Sequence, residues 1–350
     1  MLPDERVFSV EGEPYCWRDV ILAAVRWGEW RAAEQRARYG AACVRHAETT
    51  GDTLPAAAFD DAGREFRYAR DLVTAQSMEE WLHRIGLSAH DWSNYLRRDL
   101  QRRLHPDGER ALIARYPVAD DAAVQLALVE AICSADLTRW AHTLAGRAAA
   151  HAVIAASGGG GQGEDPSANS EAPIDMHPFA VLWNEDPATL RTSARRLQRL
   201  DESFEQFRAS LLTERALQDF VSARQLEWVR LECRVMSFPD LGMAAEAALL
   251  LREDDQGFTS VYSVAHAQPR AAQFFLDQVD PLTHDYFLSA RAGDLIGPLH
   301  VADEYVLYLV ESKVLPTVRD ADVRRRAESG VLEHALDKQR AQRVTWHAAQ

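Results

Sequence analysis

The spacing of apolar residues along the chain predicts long helices over most of its length. Apolar side chains three or four positions apart share one face of a helix, and such a stripe runs at spacing four from Trp92 to Leu104. Gly86 ends the preceding helix, and Ser88 with Asp91 supplies a capping signal for the next one. The pattern predicts helices over residues 17–50, 66–104, 120–156, 187–228, 243–253 and 317–347.

Two segments nearer the C-terminal end have the pattern of strands instead. Residues 229–237 read VRLECRVMS, in which Leu231, Cys233 and Val235 fall on one face. Residues 305–310 are an unbroken apolar and aromatic run, which is typical of a buried strand. These two segments predict the core strands of a small sheet.

Turn signals lie between the two predicted strands. Residues 275–290 predict short helical turns, and Gly293 and the Gly297–Pro298 pair predict a loop before the second strand. The order strand, helix, short helices, loop and strand predicts an α+β domain of roughly 90 residues flanked by helices.

Residues 157–173 interrupt the helical pattern with the sequence SGGGGQGEDPSANSEAP. Such a composition adds little to a core and predicts a flexible linker. A phosphate-binding loop is disfavoured, because Glu164 and Asp165 follow the glycines where Lys and Ser or Thr are required. The predicted organisation is a helical module over residues 1–156, the linker over 157–173, a helical segment over 174–228, the α+β domain over 229–316 and a final helix over 317–350.

The composition is that of a folded protein with an acidic surface. The chain has 350 residues, of which 47% are hydrophobic, so a sizeable core is expected. This length allows about two domains. The formal net charge of −14 argues against general nucleic-acid binding, which requires a basic face.

The sequence also argues against a membrane partner. No stretch of about 18 consecutive apolar residues is present, so no membrane-spanning helix is expected. The first residues, MLPDERVFSV, lack the basic and apolar regions of a secretory signal. We therefore expect a cytoplasmic protein.

Cysteine and histidine spacing predicts neither a metal site nor a disulfide framework. The four cysteines are far apart and form no CxxC pair, which indicates free, buried thiols. The 12 histidines form no metal-binding spacing. No metal and no cofactor are expected. The cysteines are Cys16, Cys43, Cys133 and Cys233.

Motifs of the smaller domain resemble those of the parvulin-type peptidyl-prolyl isomerases. Residues 292–299, AGDLIGPL, resemble the Gly-Glu-Ile-Ser-Gly-Pro-Val phrase of that family, and residues 304–310, EYVLYLV, resemble its Gly-Tyr-His-Ile-Ile strand. Residues 229–235 fit its first strand. The helical half, notably the turn Ile85–Gly86–Leu87, is similar to the chaperone module of the wider SurA/PpiC/PrsA class.

This resemblance implies an α+β fold that is mostly α. It implies a helical SurA-like chaperone module, a small C-terminal parvulin-like domain, and a C-terminal helix that packs back on the helical module. The family also has histidines on its first and last strands, and here those positions fall on Cys233 and Val306. The Gly-Gly-Asp-Leu-Gly phrase of the family's active-site loop is absent from residues 263–275. The domain is thus expected to keep a peptide groove without the two imidazoles.

The resemblance places the candidate site on the sheet of this domain. No catalytic residue is predicted with the histidines gone; Cys233 and Tyr308 are the candidates for a rewired site. The Cys233 thiol is expected to pack as a small apolar side chain. The predicted peptide-binding residues are Cys233, Val235, Phe287, Leu288, Val306 and Tyr308.

We therefore expect a non-catalytic, parvulin/SurA-like peptide-binding chaperone or accessory protein. By resemblance to soluble parvulin-related accessory factors, its partner is a polypeptide client, such as a ribosomally made precursor peptide under maturation, or a peptide-modifying enzyme. Two alternatives stay open. One is an active prolyl isomerase with a rewired site. The other is an unrelated enzyme whose site lies in the helical half, which a polar cavity lined by groups with shifted pKa values would reveal.

Charged and histidine side chains outside this groove are expected to be solvated. The basic runs Arg97–Arg98, Arg102–Arg103 and Arg324–Arg326 predict exposed helix faces, or else a surface that steers an acidic peptide. His300 is expected to be an exposed loop residue. His266 has the same two interpretations, solvated residue or substrate contact.

Overall fold

The computed structural model describes residues 3–52, 54–106, 108–158, 175–253 and 269–347. Most of them are helical, and the strands form two small antiparallel sheets. The chain divides into two compact units. The larger unit comprises Met1–Arg208 and Ala335–Gln350, and the smaller unit comprises Ala209–His334. Of the predicted linker over residues 157–173, only the first two positions are described, and residues 159–173 lie outside the described residues.

The larger unit is a helical bundle with a three-stranded sheet. Its strands are β1 (Arg6–Val10), β2 (Glu13–Cys16) and β7 (Val344–Trp346), and their order in the sheet is β2-β1-β7. The helices are α1 (Trp17–Arg26), α2 (Glu29–Thr50), α3 (Ala56–Tyr68), α4 (Ala75–Ile85), α5 (Ala89–Leu104), α6 (Glu109–Arg115), α7 (Asp120–Cys133), α8 (Asp136–Ala156), α9 (His177–Trp183) and α10 (Pro187–Leu211), the last of which continues into the smaller unit.

Aromatic side chains pack the three-stranded sheet against the helices of the larger unit. Phe8 stacks on Tyr15 across the β1–β2 hairpin, with ring centroids 4.8 Å apart. Trp346 of β7 packs on Phe8 at 5.3 Å and on His142 of α8 at 4.6 Å. The tryptophan-rich sequence of this half is thus used for packing: Trp30 and Trp140 lie in the main core, and the other tryptophans contact it or the cluster beside it.

The smaller unit is built around a four-stranded antiparallel sheet. Its strands are β3 (Arg230–Phe238), β4 (Arg270–Phe275), β5 (Leu295–Val301) and β6 (Glu304–Val314), in the order β4-β3-β6-β5. The register of β3 and β6 runs from Arg230 opposite Val314 to Phe238 opposite Tyr305. The helices of this unit are α11 (Glu214–Ala223), α12 (Leu241–Glu253), a 3₁₀ turn (Leu276–Gln278), α13 (His284–Ser289) and most of α14 (Ala321–Arg343).

Side chains alternate between the two faces of this sheet, and each face packs against a different helix. Met236 and Leu307 lie on the face that packs against Ala244 and Ala247 of α12. The residues next in sequence point the other way, toward α13. This second face carries the candidate site.

Two predicted elements differ in kind from the structure. The last four residues of the predicted loop at Gly293–Pro298 belong to strand β5. This strand tolerates Pro298 because it is an edge strand whose register shifts between Ile296 and Leu299. The predicted helix over 317–347 ends at Arg343. Its last residues form β7, because the strand formers Val344 and Trp346 pair with β1.

Three predicted helices are each two helices in the structure. The first breaks after Trp27 at Gly28, whose φ of +76° suits glycine. The second breaks at Ala135, between α7 and α8. The third breaks after Leu211, between α10 and α11. Apolar periodicity alone does not predict such breaks, because both helices of each pair keep a buried face.

Helix α2 lies unusually close to α5 at Gly40. A Cβ atom at Gly40 would lie 2.9 Å from Arg98 Cβ and 3.3 Å from the Arg98 carbonyl oxygen, and backbone cannot move aside cheaply. We expect Gly40→Ala to lower the free energy of unfolding by about 1–3 kcal/mol, the usual cost of overpacking. Urea denaturation measures this change.

Gly146→Ala is the matched control, since Gly146 also lies inside a helix. Its nearest neighbour, Arg340 Nη1, would be 3.6 Å from the new Cβ, an ordinary contact. This variant should be neutral or more stable by roughly 0.5–1 kcal/mol, because alanine favours helix over glycine. Equal effects of the two substitutions would contradict the close approach at Gly40.

Candidate functional site

A cavity of about 640 Å³ lies in the smaller unit, on the face of the four-stranded sheet that packs against α13. Strands β3, β4, β5 and β6 all contribute to its walls, together with α13 and the turn before it. Apolar and aromatic side chains form most of its lining, and a few polar groups lie at the rim. We call this cavity the sheet groove.

Three aromatic rings form the floor of the sheet groove. Phe287 lies 5.5 Å from Phe274 and 5.2 Å from Tyr308, and Phe274 lies 6.1 Å from Tyr308, measured between ring centroids. All three pairs are edge-to-face, with interplanar angles of 85°, 83° and 79°. This geometry is favourable for aromatic pairs and fixes each ring against the other two.

Hydrogen bonds connect α13 and the turn after it to β6. Lys313 Nζ donates to the carbonyl of Leu288 at 2.8 Å, and the Gly293 N–H donates to the carbonyl of Val310 at 2.8 Å. Phe287 of α13 is buried among the sheet residues. The aromatic floor is therefore part of the folded core of this unit and does not depend on a ligand.

The rim of the sheet groove carries polar groups and one very exposed leucine. Arg270 and Asp280 lie on the rim with opposite charges. His300 also lines the groove and packs against Tyr305 with ring centroids 5.0 Å apart. Leu282 is 88% exposed although it belongs to the lining. An apolar side chain at the edge of an aromatic cavity is a natural first contact for an apolar group.

The predicted peptide-binding residues separate into three groups. Val235, Phe287 and Tyr308 line the sheet groove. Cys233 and Val306 belong to the same apolar cluster but are buried and do not line it. Leu288 is 44% exposed and also lies outside the lining.

The strand register places Cys233 and Val306 on neighbouring strands but not opposite each other. Cys233 pairs with Val310, and Val306 pairs with Ser237. Val235 pairs with Tyr308 between these positions. The residue pair that faces the groove from the two central strands is thus Val235 with Tyr308.

Burial makes the Cys233 thiol a poor nucleophile. The residue is 1% exposed, and burial, with a smaller contribution from the charge of Glu311, raises the pKa of its thiol to about 11. Burial also raises the pKa of Tyr308. Both groups therefore remain protonated at neutral pH, and the thiol packs as a small apolar side chain.

Sequence reasoning missed several groove residues. Phe274 follows Ala272 with the period of two that marks one face of a strand, so β4 could have been found. Leu282 gave no such signal, because it lies in an irregular turn. His300 was expected in a loop, but it lies on β5 and lines the groove. His266 lies outside the described residues.

Other kinds of site find no support in the described part of the chain. Within it, no three His, Cys, Asp or Glu side chains are close enough together to share a metal ion. None of the helices described here combines the length and apolar character that a membrane crossing needs. The four cysteines are all free thiols.

Among the comparisons with known proteins, the one with solved structures finds similar chains. No protein-family model and no curated protein matches the chain. Among solved structures, the chain is similar to one from the pair PEB4 and Cj1289, a virulence factor and a periplasmic protein described as structurally related SurA-like chaperones of Campylobacter jejuni. The identity is 11%, the match covers 99% of this chain and 100% of that one, and the TM-score is 0.20. Since a TM-score this low does not show a shared fold, the proposed function rests on the geometry of this chain.

We expect Cys233 to resist alkylation in the folded protein. With a pKa of about 11, the thiolate fraction at pH 8 is on the order of one in a thousand, against about a quarter for a free cysteine. Iodoacetamide labelling followed by peptide mass spectrometry measures the rate. Labelling should accelerate strongly in denaturant. Fast modification of Cys233 in the native protein at pH 7 would show that the thiol is accessible and activated and that it does not pack as a buried apolar side chain.

Proposed function

We propose that this chain is a polypeptide-binding protein of chaperone type, and that the sheet groove holds an apolar side chain of an extended client. The observation that carries the proposal is the aromatic floor of Phe274, Phe287 and Tyr308 beneath an open cavity. Preformed, mostly apolar cavities with a few polar groups are the usual form of a binding site.

The rim supports a polypeptide as the ligand. Aromatic side chains supply a large contact area, and such anchors carry most of the binding energy in peptide and protein interfaces. Arg270, Gln278 and Thr283 lie on the lining, where they are able to bond the polar backbone on either side of an inserted side chain. Because the floor is already ordered, little ordering cost opposes binding at this site.

We further propose that the groove binds its client without catalysing prolyl isomerisation. The barrier to rotation about a prolyl bond is about 20 kcal/mol, and lowering it requires polar groups aimed at the twisted amide. The positions that resemble the family's two histidines are the buried Cys233 and Val306. One observation favours the alternative of a rewired isomerase, since His300 and Tyr308 line the same cavity.

The client class is proposed from the family resemblance of the sequence. Parvulin-related accessory proteins occur with systems that mature ribosomally made peptides, and on that ground we propose a precursor peptide or its modifying enzyme as the partner. Binding of the unmodified precursor in preference to the finished product would support this choice.

We expect Leu282→Asp to weaken peptide binding about tenfold. The substitution places a charge at the mouth of an apolar cavity, and because the side chain is exposed, it should leave the fold intact. Leu288→Asp is the matched control, an exposed leucine six positions away that lies outside the lining. Fluorescence anisotropy with a labelled, unfolded apolar peptide measures both affinities.

The outcome of this pair decides the location of the site. Loss of affinity in Leu282→Asp alone supports the sheet groove. Equal affinity of both variants and the natural protein would place the client elsewhere, and no measurable binding by the natural protein would reject the polypeptide-binding function.

We expect the protein to leave the isomerisation rate of a proline peptide at its uncatalysed value. NMR exchange spectroscopy on a peptide that contains an Ala-Pro bond measures this rate directly. A clear acceleration that Tyr308→Phe or His300→Ala abolishes would overturn the non-catalytic proposal and establish the rewired isomerase. Cys233→Ala tests the thiol in the same way.

A further inference from the structure

A cavity of about 930 Å³ lies along the edge of the four-stranded sheet in the smaller unit. Its lining includes every residue from Gly293 to Leu299, which covers the turn before β5 and most of that strand. Leu251 and Arg252 of α12 line it from one side of the sheet, and Tyr286 of α13 lines it from the other. Because α12 and α13 pack on opposite faces of the sheet, the space that they share lies beyond β5. We call this space the edge cavity.

Strand β5 presents backbone acceptors to the edge cavity. It stands last in the order of the sheet, and none of the described strands pairs with its outer side. The carbonyl oxygens of Leu295 and Gly297 both accept from Arg252 Nη2, at 3.4 Å and 3.2 Å. Carbonyls two residues apart on one side of a strand are the acceptors that a further strand would use.

Arg252 satisfies these two carbonyls poorly. A single nitrogen serves both oxygens, and its distances are longer than the usual N–H···O distance of about 2.9–3.0 Å. The Arg252 side chain is exposed, so water competes for its guanidinium. An extended chain presents N–H groups along one edge at every second residue, roughly 6.8 Å apart. Such a chain would give each carbonyl a donor of its own.

The walls of the edge cavity suit an uncharged backbone with apolar side chains. Arg252 and Asp294 are the charged residues of the lining, one of each sign, so the lining favours neither an anion nor a cation. Leu251 lies on the α12 side, and Tyr286, which is 60% exposed, lies on the α13 side. Side chains of a strand point alternately to the two faces of a sheet, so an added strand would contact both walls.

We propose that the β5 edge is a second docking site for an extended polypeptide, which adds to the sheet as a further strand, and that Arg252 closes this site when no client is bound. The inference rests on the proposed function, because the occupant is the same polypeptide client. The two sites use different parts of that client. The sheet groove holds an apolar side chain, and the β5 edge pairs with the backbone.

A second copy of this chain fits the β5 edge less well than a client does. The strand has three residues before Pro298, which has no N–H to donate. So short a stretch supplies little of the roughly 1,200–2,000 Å² that a stable protein interface buries. Two copies would also each carry a formal charge of −14, which opposes their association. Proline and a covering side chain are devices that keep the edges of folded sheets from pairing with one another.

Fluorescence anisotropy on the full chain with two labelled peptides tests the proposal. One is an unfolded apolar peptide, and the other has the same side chains but N-methylated central amides, which removes its backbone donors. We expect the natural protein to bind the first peptide at least fivefold more tightly than the second.

Substitution of Arg252 tests its closing role. Arg252→Met keeps an aliphatic side chain but removes the guanidinium, so it should bind the unmethylated peptide at least threefold more tightly than the natural protein does. Its affinity for the methylated peptide should not change. Arg319→Met is the matched control, an exposed arginine of the same unit outside the edge cavity, and it should change neither affinity. Arg252→Leu replaces Arg252→Met if the latter unfolds at a lower temperature than the natural protein.

The proposal requires both the preference for the unmethylated peptide and the gain in affinity on loss of the guanidinium. If both peptides bind equally and Arg252→Met gains nothing, the β5 edge is not a docking site, and the proposed function stands on the sheet groove alone. Weaker binding by Arg252→Met would show that the guanidinium holds the client, which overturns its closing role. If neither protein binds either peptide, this inference and the proposed function are both wrong. Dimerisation of Arg252→Met without peptide, measured by analytical ultracentrifugation, would assign the edge to a second copy instead.

Discussion

The pairing of β3 with β6 is the constraint on which the smaller unit depends. These two central strands run antiparallel over nine paired positions, with one irregularity beside Cys233. Because side chains alternate along a strand, a slip of one residue would exchange the residues facing α12 with those facing α13. The register therefore decides which side chains pack beneath α12 and which form the groove, and it places Val235 opposite Tyr308 at the groove itself.

On the groove face, the same register decides which side chains are covered and which line the cavity. Cys233 and Val306 are covered and stabilise the sheet, whereas Tyr308 has one side in the aromatic cluster and the other on the cavity. A groove of this kind has anchors for apolar side chains but few polar groups at its floor. That balance favours holding a polypeptide over accelerating a reaction on it, which is why the proposed function is binding.

Apolar periodicity predicts the elements that have a regular buried face, and it fails where distant partners set the geometry. Strands β3 and β6 and the mostly helical character could be read from apolar spacing. β7 could not, because Val344–Trp346 becomes a strand only through pairing with β1, more than 300 residues away. The groove residues Phe274 and Leu282 were missed because one lies on an unpredicted strand and the other in an irregular turn. Arg98 was predicted to be solvated, but it is buried. Its burial results from the close approach of α2 at Gly40, a contact between distant segments of the chain.

The central claim is that an unfolded polypeptide docks on the α13 face of the small sheet. The most direct test is an NMR titration of the isotope-labelled full chain with an unfolded apolar peptide, with the shifted resonances mapped on the structure. The account predicts that the largest shifts occur in Phe274, Phe287, Tyr308 and the backbone around Leu282, and that the α12 face changes little. Shifts confined to other surfaces, or no shifts at saturating peptide, would contradict it.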